Sequence, residues 1–325
     1  MATQYRLQLF AIVLGCLLSI MPVRPAATQP VYPTKQIDVL IGYGPGGIVD
    51  VSERFLAGKA EKILGQPMVI TNNGGGGSSV AVAIVATKPP DGYFIAGCAS
   101  TGLVRIPQFR TVPYKWDDLT PIMHFATPIL TSLVVRSDSP FKSVKDLVEY
   151  ARANPGKIKY ATASPRGTLG FNMILIAQKE KIEWEVVPFS GGQLVVNALL
   201  GGHVQVIMQG AEWMPQVQAG TLRLLAVAGE KRNRRFPDVP CLGELGYQTT
   251  IGPLMILGPA GMPKDVVKLL DATFKASLED PATVKIMDQF AVENVYMDHE
   301  QTTKWAMEQV DFFKKFIKEI GIGKP

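Results

Sequence analysis

Short apolar runs that end in glycine-bearing loops and give way to helical patterns recur along this chain, and that alternation limits its fold more than any other feature. The first run, 37–41, reads as a buried strand. A Gly/Pro loop, 42–47, and a helix over 49–64 follow, with Val51, Phe55, Ala60 and Ile63/Leu64 near helical spacing and Gly65-Gln66-Pro67 as the stop. A strand at 68–71, a Gly-rich loop at 72–79, a small-residue helix at 80–87 and a strand at 94–99 continue the rhythm. It restarts after residue 130: strands at 130–136, 158–162, 184–188, 204–209 and 222–228 alternate with helices at 144–153, 168–180, 193–200 and 214–219. Ser143 opens the first of these helices and Asn154-Pro155-Gly156 closes it. A strand at 254–258 returns to the first unit, and amphipathic helices at 264–278, 281–290 and 302–320 end the chain. This order predicts an α/β fold with parallel sheets and crossover helices. The expected division is a first domain of 28–129 plus 252–325 and a second of 130–251, with a hinged cleft between them. Ligands of open α/β sheets lie beyond the carboxyl ends of the strands.

The N-terminus reads as an export signal. Arg6 lies in a polar start, 9–21 is apolar, and Pro22, Arg24 and Pro25 precede Ala26-Ala27. The apolar run is shorter than the roughly 20 residues a spanning helix needs. Residues 1–27 are therefore expected to be a signal peptide and the remainder periplasmic. Cys16 follows Val13-Leu14-Gly15, a loose likeness to an acylation site, but the chain stays apolar after it. Cys98 and Cys241 remain; Cys98 lies in an apolar run and is expected to be a buried thiol.

Composition excludes several classes. With 47% hydrophobic and 19% charged residues the chain is not disordered. A net charge of +5 over 325 residues gives no nucleic-acid surface. Cys-x-x-Cys and His-x-x-x-His spacings are absent, so no metal site is expected. His124, His203 and His299 stand alone, no Gly-x-Ser-x-Gly elbow occurs, and no catalytic residue or cofactor is assigned.

The candidate binding residues sit where strands feed helices. Tyr43-Gly44-Pro45-Gly46-Gly47-Ile48-Val49-Asp50 offers free amides at a helix start, and its glycines let an anion come close. It can equally be a plain tight turn, and Asp50 reads as an orienting cap. In the loop 162–170, Ser164 and Thr168 add hydroxyls and Arg166 can pair with a carboxylate. Phe189-Ser190-Gly191-Gly192 is a third such loop. Asn72, Ser100 and Thr101 end strands at the same edge; Gln209 ends another, next to Glu212 and Trp213, and Trp213 reads as core. The basic run 231–235 reads as a solvated face.

At these loops the chain resembles the extracytoplasmic receptors of tripartite tricarboxylate transporters, the TctC or Bug family. The likeness rests on Tyr32-Pro33-x-Lys35, Pro45-Gly46-Gly47-x-x-Asp50, Leu64-Gly65-Gln66-Pro67 and Pro90-Asp91-Gly92-Tyr93. It continues through Asn154-Pro155-Gly156-Lys157, Leu199-Leu200-Gly201-Gly202 and Phe236-Pro237-Asp238-Val239-Pro240. The resemblance implies a two-domain α/β periplasmic binding protein of Venus-flytrap, type II-like, architecture. It implies a monomer that delivers a small organic carboxylate, a di- or tricarboxylate or an aromatic acid, to a membrane permease, without catalysis. A sensor-kinase partner and a secreted hydrolase are the alternatives. Carried over by position, Tyr43, Gly46, Gly47 and Asp50 match the first family loop, and Ser164, Gly167, Thr168 and Leu169 the second. The chain departs from the family at Asn72-Asn73-Gly74-Gly75, where Asn-Arg-Pro-Gly is common, and at Phe171, Gln205 and Gln209, in place of His, Asp and Asp. Gln209 cannot balance an ammonium group, which points away from an amino acid and toward an organic acid. Phe171 leaves an aromatic acid open.

Overall fold

The computed structural model describes residues 32–128, 130–250, 252–319 and 321. The expected signal segment, Cys16 included, lies outside the described residues. In chain order come β1 (Ile37–Ile41), α1 (Ile48–Leu64), β2 (Met68–Asn72), α2 (Ser79–Val85) and β3 (Phe94–Ala99). Two single-turn helices, α3 (Thr101–Val104) and α4 (Ile106–Phe109), precede β4 (Leu119–Pro128). Next are β5 (Ser132–Arg136), α5 (Val144–Ala153), β6 (Lys159–Thr162), α6 (Thr168–Glu180) and β7 (Glu185–Pro188). Then follow α7 (Gly192–Leu200), β8 (Val206–Gln209), α8 (Met214–Gln218) and β9 (Leu222–Val227). The chain closes with β10 (Leu254–Pro259), α9 (Lys264–Glu279), α10 (Pro281–Gln289), β11 (Val292–Met297) and α11 (His299–Glu319).

These strands form two sheets, ordered β11-β4-β10-β3-β1-β2 and β7-β6-β8-β5-β9. The chain passes from the first sheet to the second between β4 and β5 and returns between β9 and β10. Each sheet is parallel only in part: β1 pairs in parallel with β2 and β3, and β6 with β7 and β8. The remaining pairs are antiparallel, including β10 with β3 and β4, and β5 with β8 and β9. The all-parallel expectation is therefore corrected to mixed sheets. The strands that cross between sheets arrive without a βα crossover and so run against their neighbours.

Local sequence explains most elements. Ser143 Oγ accepts the Asp146 amide at 3.1 Å and Asp146 Oδ2 accepts the Ser143 amide at 2.9 Å, a reciprocal cap that starts α5 where expected. Gly65, at φ 68°, ends α1 in the left-handed region that favours glycine. The buried face of α1 differs from expectation. Phe55 and Ile63 point outward, while Leu56, Ala57 and Ala60 pack inward together with the polar Ser52 and Glu53. Polar residues on the inner face blur the helical stripe that sequence spacing relies on. Each sheet has its own apolar core, one around Leu147, Tyr160, Ile176 and Met208, the other around Val82, Cys98, Met255 and Phe313.

Candidate functional site

The loop after β1 leads into α1 with Gly47 as its cap, extended at φ −84° and ψ 171°, and the cap residue has no side chain to bond the first amides of the helix. Those amides carry the positive end of the helix dipole and need an acceptor. Asp50 does not supply it. Its Oδ2 reaches back to the Gly46 amide at 2.9 Å, and its Oδ1 accepts Arg54 Nε at 2.8 Å and Asn72 Nδ2 at 2.7 Å. Asn72 Nδ2 also donates to the Tyr43 carbonyl at 2.9 Å. Asp50 and Asn72 are thus braces that fix the loop from behind. Burial works against the Asp50 charge, yet Arg54, the Gly46 amide and Asn72 outweigh it and hold the carboxyl below its ordinary range.

Two further helices start in the same way. Gly167 caps α6 and Gly191 caps α7, both extended and both without a side-chain cap bond. The Gly44 amide donates to the Ser190 carbonyl at 3.0 Å, a main-chain bond between the loop after β1 and the loop after β7. Thr168 Oγ1, at the start of α6, lies 3.1 Å from Thr101 Oγ1, at the start of α3. Loops of the two sheets therefore meet at several points.

Between them is a cavity of about 60 Å³. Of the residues singled out from sequence, Tyr43, Gly47, Thr101, Thr168, Leu169 and Gln209 line it. Gly46, Asp50, Asn72, Ser100, Ser164, Arg166 and Gly167 do not. Ser100 is buried and donates its amide to the Pro253 carbonyl at 2.8 Å. Ser164 and Gly167 pack against each other behind the loop. Arg166 is exposed and lies over the Phe109 ring, 5.6 Å from its centre. Phe171 is fully buried against Phe109, Phe313 and Phe316 and is not a wall of the cavity, so the ground for an aromatic ligand falls away. Trp213 is core, as read, with its indole beside Phe236.

Sequence reading left Glu212 out of the site. It is 7% exposed and lines the cavity. Its Oε1 accepts the Ile48 amide at 3.2 Å and its Oε2 accepts Gln209 Nε2 at 3.2 Å. A Cβ placed on Gly192 would run into Oε1, and one on Gly47 would lie 3.4 Å from it. The carboxyl thus sits between the glycine-capped starts of α1 and α7. Burial raises it above the ordinary carboxyl range, while the Ile48 amide and Gln209 pull the other way. The charge absent from Gln209 is supplied three residues later. The only signal in the sequence was an acid inside the otherwise apolar stretch after β8.

Tyr43 is buried, and burial pushes its phenol up to about 12, with the Ser78 and Ser164 hydroxyls acting in the opposite direction. It stays a neutral donor at any physiological pH. Cys98 and Cys241 are buried and free. His124, His203 and His299 do not line the cavity. Among the described residues no cluster of His, Cys, Asp and Glu could hold a metal ion.

Comparison with known proteins agrees with this architecture. Residues 53–322 match the family described as "Tripartite tricarboxylate transporter family receptor", TctC. The chain is similar to the "UPF0065 protein in gbd 5′ region" of Cupriavidus necator, 36% identical over 94% of this chain and 93% of that one. It is also similar to the periplasmic binding protein BugD, at 25% identity and TM-score 0.84, over 90% of this chain and 100% of that one. An R. palustris protein solved with adipate has 26% identity and TM-score 0.82, over 90% of this chain and 99% of that one. Matched over most of its length, and built as two mixed α/β sheets whose loops enclose a cavity, this chain belongs to the TctC family of tripartite tricarboxylate transporter receptors.

Proposed function

We propose that this chain is a periplasmic receptor that closes on a small organic carboxylate and presents it to a membrane permease of the tripartite type. The observation that carries the reading is Glu212. A carboxyl of the protein itself takes the Ile48 amide at 3.2 Å between two helix starts whose glycine caps offer no side chain. Helix-start amides favour an anion, and a carboxylate from solution can take the same seat. Gln209 Nε2 donates to its Oε2 at 3.2 Å, and Tyr43, Thr101 and Thr168 line the same cavity. The similar R. palustris protein solved with adipate fits this ligand class. In this reading residues 1–27 direct export, and no helix among the described residues is long and apolar enough to cross a membrane. Residues 28–129 with 252–325, and 130–251, act as the two jaws. The role is capture and delivery, not turnover.

A second reading has its own observation. Glu212 can face an ammonium group, which makes an amino acid a ligand as well. Calorimetry and melting curves with succinate, adipate, citrate, benzoate and aspartate test both readings. A ligand at about a hundred times its Kd adds about 2.7 kcal/mol to stability, or several degrees in Tm. A rise with the acids and no dependence on an amino group supports the first reading. A rise with aspartate alone, lost in E212Q, supports the second. No response to any carboxylate removes both.

A further inference from the structure

Glu212 reaches the start of α1 from the opposite sheet. It belongs to the single turn Ala211–Trp213, which follows β8 of the second sheet, whereas Ile48 opens α1 on the first. The carboxyl is enclosed much as a bound anion would be. Its Oε1 accepts the Ile48 amide and its Oε2 accepts Gln209 Nε2, each at 3.2 Å. Glycines leave the room it fills. A Cβ on Gly192 would run into Oε1, one on Gly210 would lie 2.9 Å from Oε2, and one on Gly47 would lie 3.4 Å from Oε1. With Glu212 in place the cavity beside it, about 60 Å³, has room for a few waters only.

Other bonds join loops of the two sheets here, but they differ in kind. The Gly44 amide meets the Ser190 carbonyl, main chain to main chain, and Thr101 meets Thr168, hydroxyl to hydroxyl. Neither offers a group that an anion in solution can copy. Glu212 does, because a carboxylate at a helix-start amide is the same whether or not it is tethered to the chain. A group held on a short tether acts at an effective concentration of millimolar order, so it competes with any free acid below that level.

We propose that Glu212 is an internal competitor: in the ligand-free receptor its own carboxyl fills the anion seat, holds the loops of the two sheets together, and swings out when a free acid enters. This rests on the carboxylate reading above and adds autoinhibition to it. The apparent affinity for an acid is then the intrinsic one reduced by the fraction of molecules whose seat is open. The side chain that closes the empty receptor also sets how much acid is needed to load it.

Chemical rescue tests this. E212A removes the tethered carboxyl and leaves a gap that propionate can fill. Small-angle scattering is measured on dialysed wild type and E212A, in sodium chloride and in sodium propionate of equal ionic strength. The expected wild type is equally compact in both salts. E212A should have a larger radius in chloride and return to the wild-type radius in propionate. By calorimetry with the acids named above, E212A should bind at least tenfold more tightly than the wild type, or bind where the wild type does not.

An E212A as compact as the wild type in chloride overturns the proposal, since the carboxyl then holds nothing. An E212A that stays expanded in propionate also overturns it and leaves Glu212 a structural prop. So does weaker acid binding by E212A, which makes Glu212 a ligand contact instead of a competitor. In each of these cases a wild type that binds the acids keeps the carboxylate reading intact. If neither protein binds any acid, that reading falls and this proposal with it. If E212A fails to fold, as read by its melting curve, E212S takes its place in the same comparisons.

Discussion

Thr101 Oγ1 and Thr168 Oγ1 stand 3.1 Å apart, and this contact joins the end of the first sheet to the start of α6 across the cavity. Both residues are buried, so neither hydroxyl has water as an easy alternative. Replacing Thr168 with Val keeps the shape and leaves Thr101 without its partner. The expected cost to the closed form is about 1 kcal/mol. Small-angle scattering of unliganded T168V should show a larger radius than the wild type. An unchanged radius would mean that the hydroxyl pair does not hold the jaws.

Gly47 tests the amide seat without a large backbone effect, since its φ of −84° suits any residue. A Cβ there meets Glu212 Oε1 at 3.4 Å and the Gly192 amide nitrogen at 3.6 Å, ordinary contact distances. G47A should fold with little loss of Tm and bind a carboxylate at least tenfold more weakly. G47V should bind more weakly still. If both variants bind like the wild type, the first loop is not part of the site.

The raised carboxyl of Glu212 gives ligand binding a pH dependence. A group whose folded pKa is raised favours the protonated form, so its contribution is present at low pH and is lost as pH rises through the folded value. An incoming carboxylate strengthens that preference, because two negative charges in one buried seat repel. Affinity for a simple acid should fall as pH rises above the ordinary carboxyl range and level off once Glu212 is ionised. E212Q should flatten the profile and bind severalfold tighter at pH 7. A wild-type profile as flat as that of E212Q would refute this account.

His124 sets an acid limit on the fold. Its Nε2 lies 3.2 Å from the Ala126 carbonyl, its Nδ1 is buried without a partner, and its ring is 5.7 Å from Trp305. Burial pushes it down to about 4, with the Ala126 carbonyl pulling upward. The folded state keeps it neutral while the unfolded chain protonates near 6.5. Its contribution is therefore full above about 6.5 and lost as pH falls toward 4, on the order of 2–3 kcal/mol. Urea titrations at pH 7, 5.5 and 4.5 should show a steeper fall for the wild type than for H124Q. Equal slopes would place the acid sensitivity elsewhere.

Much of the scaffold was readable from local pattern. β1, β3, α5 and α6 lie where apolar runs, caps and stops put them, because each is decided by residues within a few positions of its ends. β4 and β11 were missed for different reasons. β4 contains Pro121 and Pro128 and pairs with register shifts, so it reads as a broken loop. β11 is an edge strand whose Glu293 and Asn294 are exposed, and its pairing with β4 comes from far along the chain. At the cavity, the glycine loops announced themselves. Which of their polar residues face inward did not, since Asp50 and Asn72 differ from Thr168 only in what the distant chain places opposite them. Glu212 was hidden for the same reason: its partner, the Ile48 amide, is 164 residues away.

The bond from the Gly44 amide to the Ser190 carbonyl has a consequence for how such a clamp can be altered. A Cβ on Gly74 would lie 2.9 Å from that same carbonyl oxygen, and one on Gly44 3.1 Å from it. This latch is built from backbone alone, so trimming polar side chains cannot release it, whereas adding one methyl group beside it can wedge it apart. A genetic screen for permanently gaping receptors should accordingly recover alanines at positions 44 and 74, sites where an ordinary scan for functional side chains finds nothing to remove.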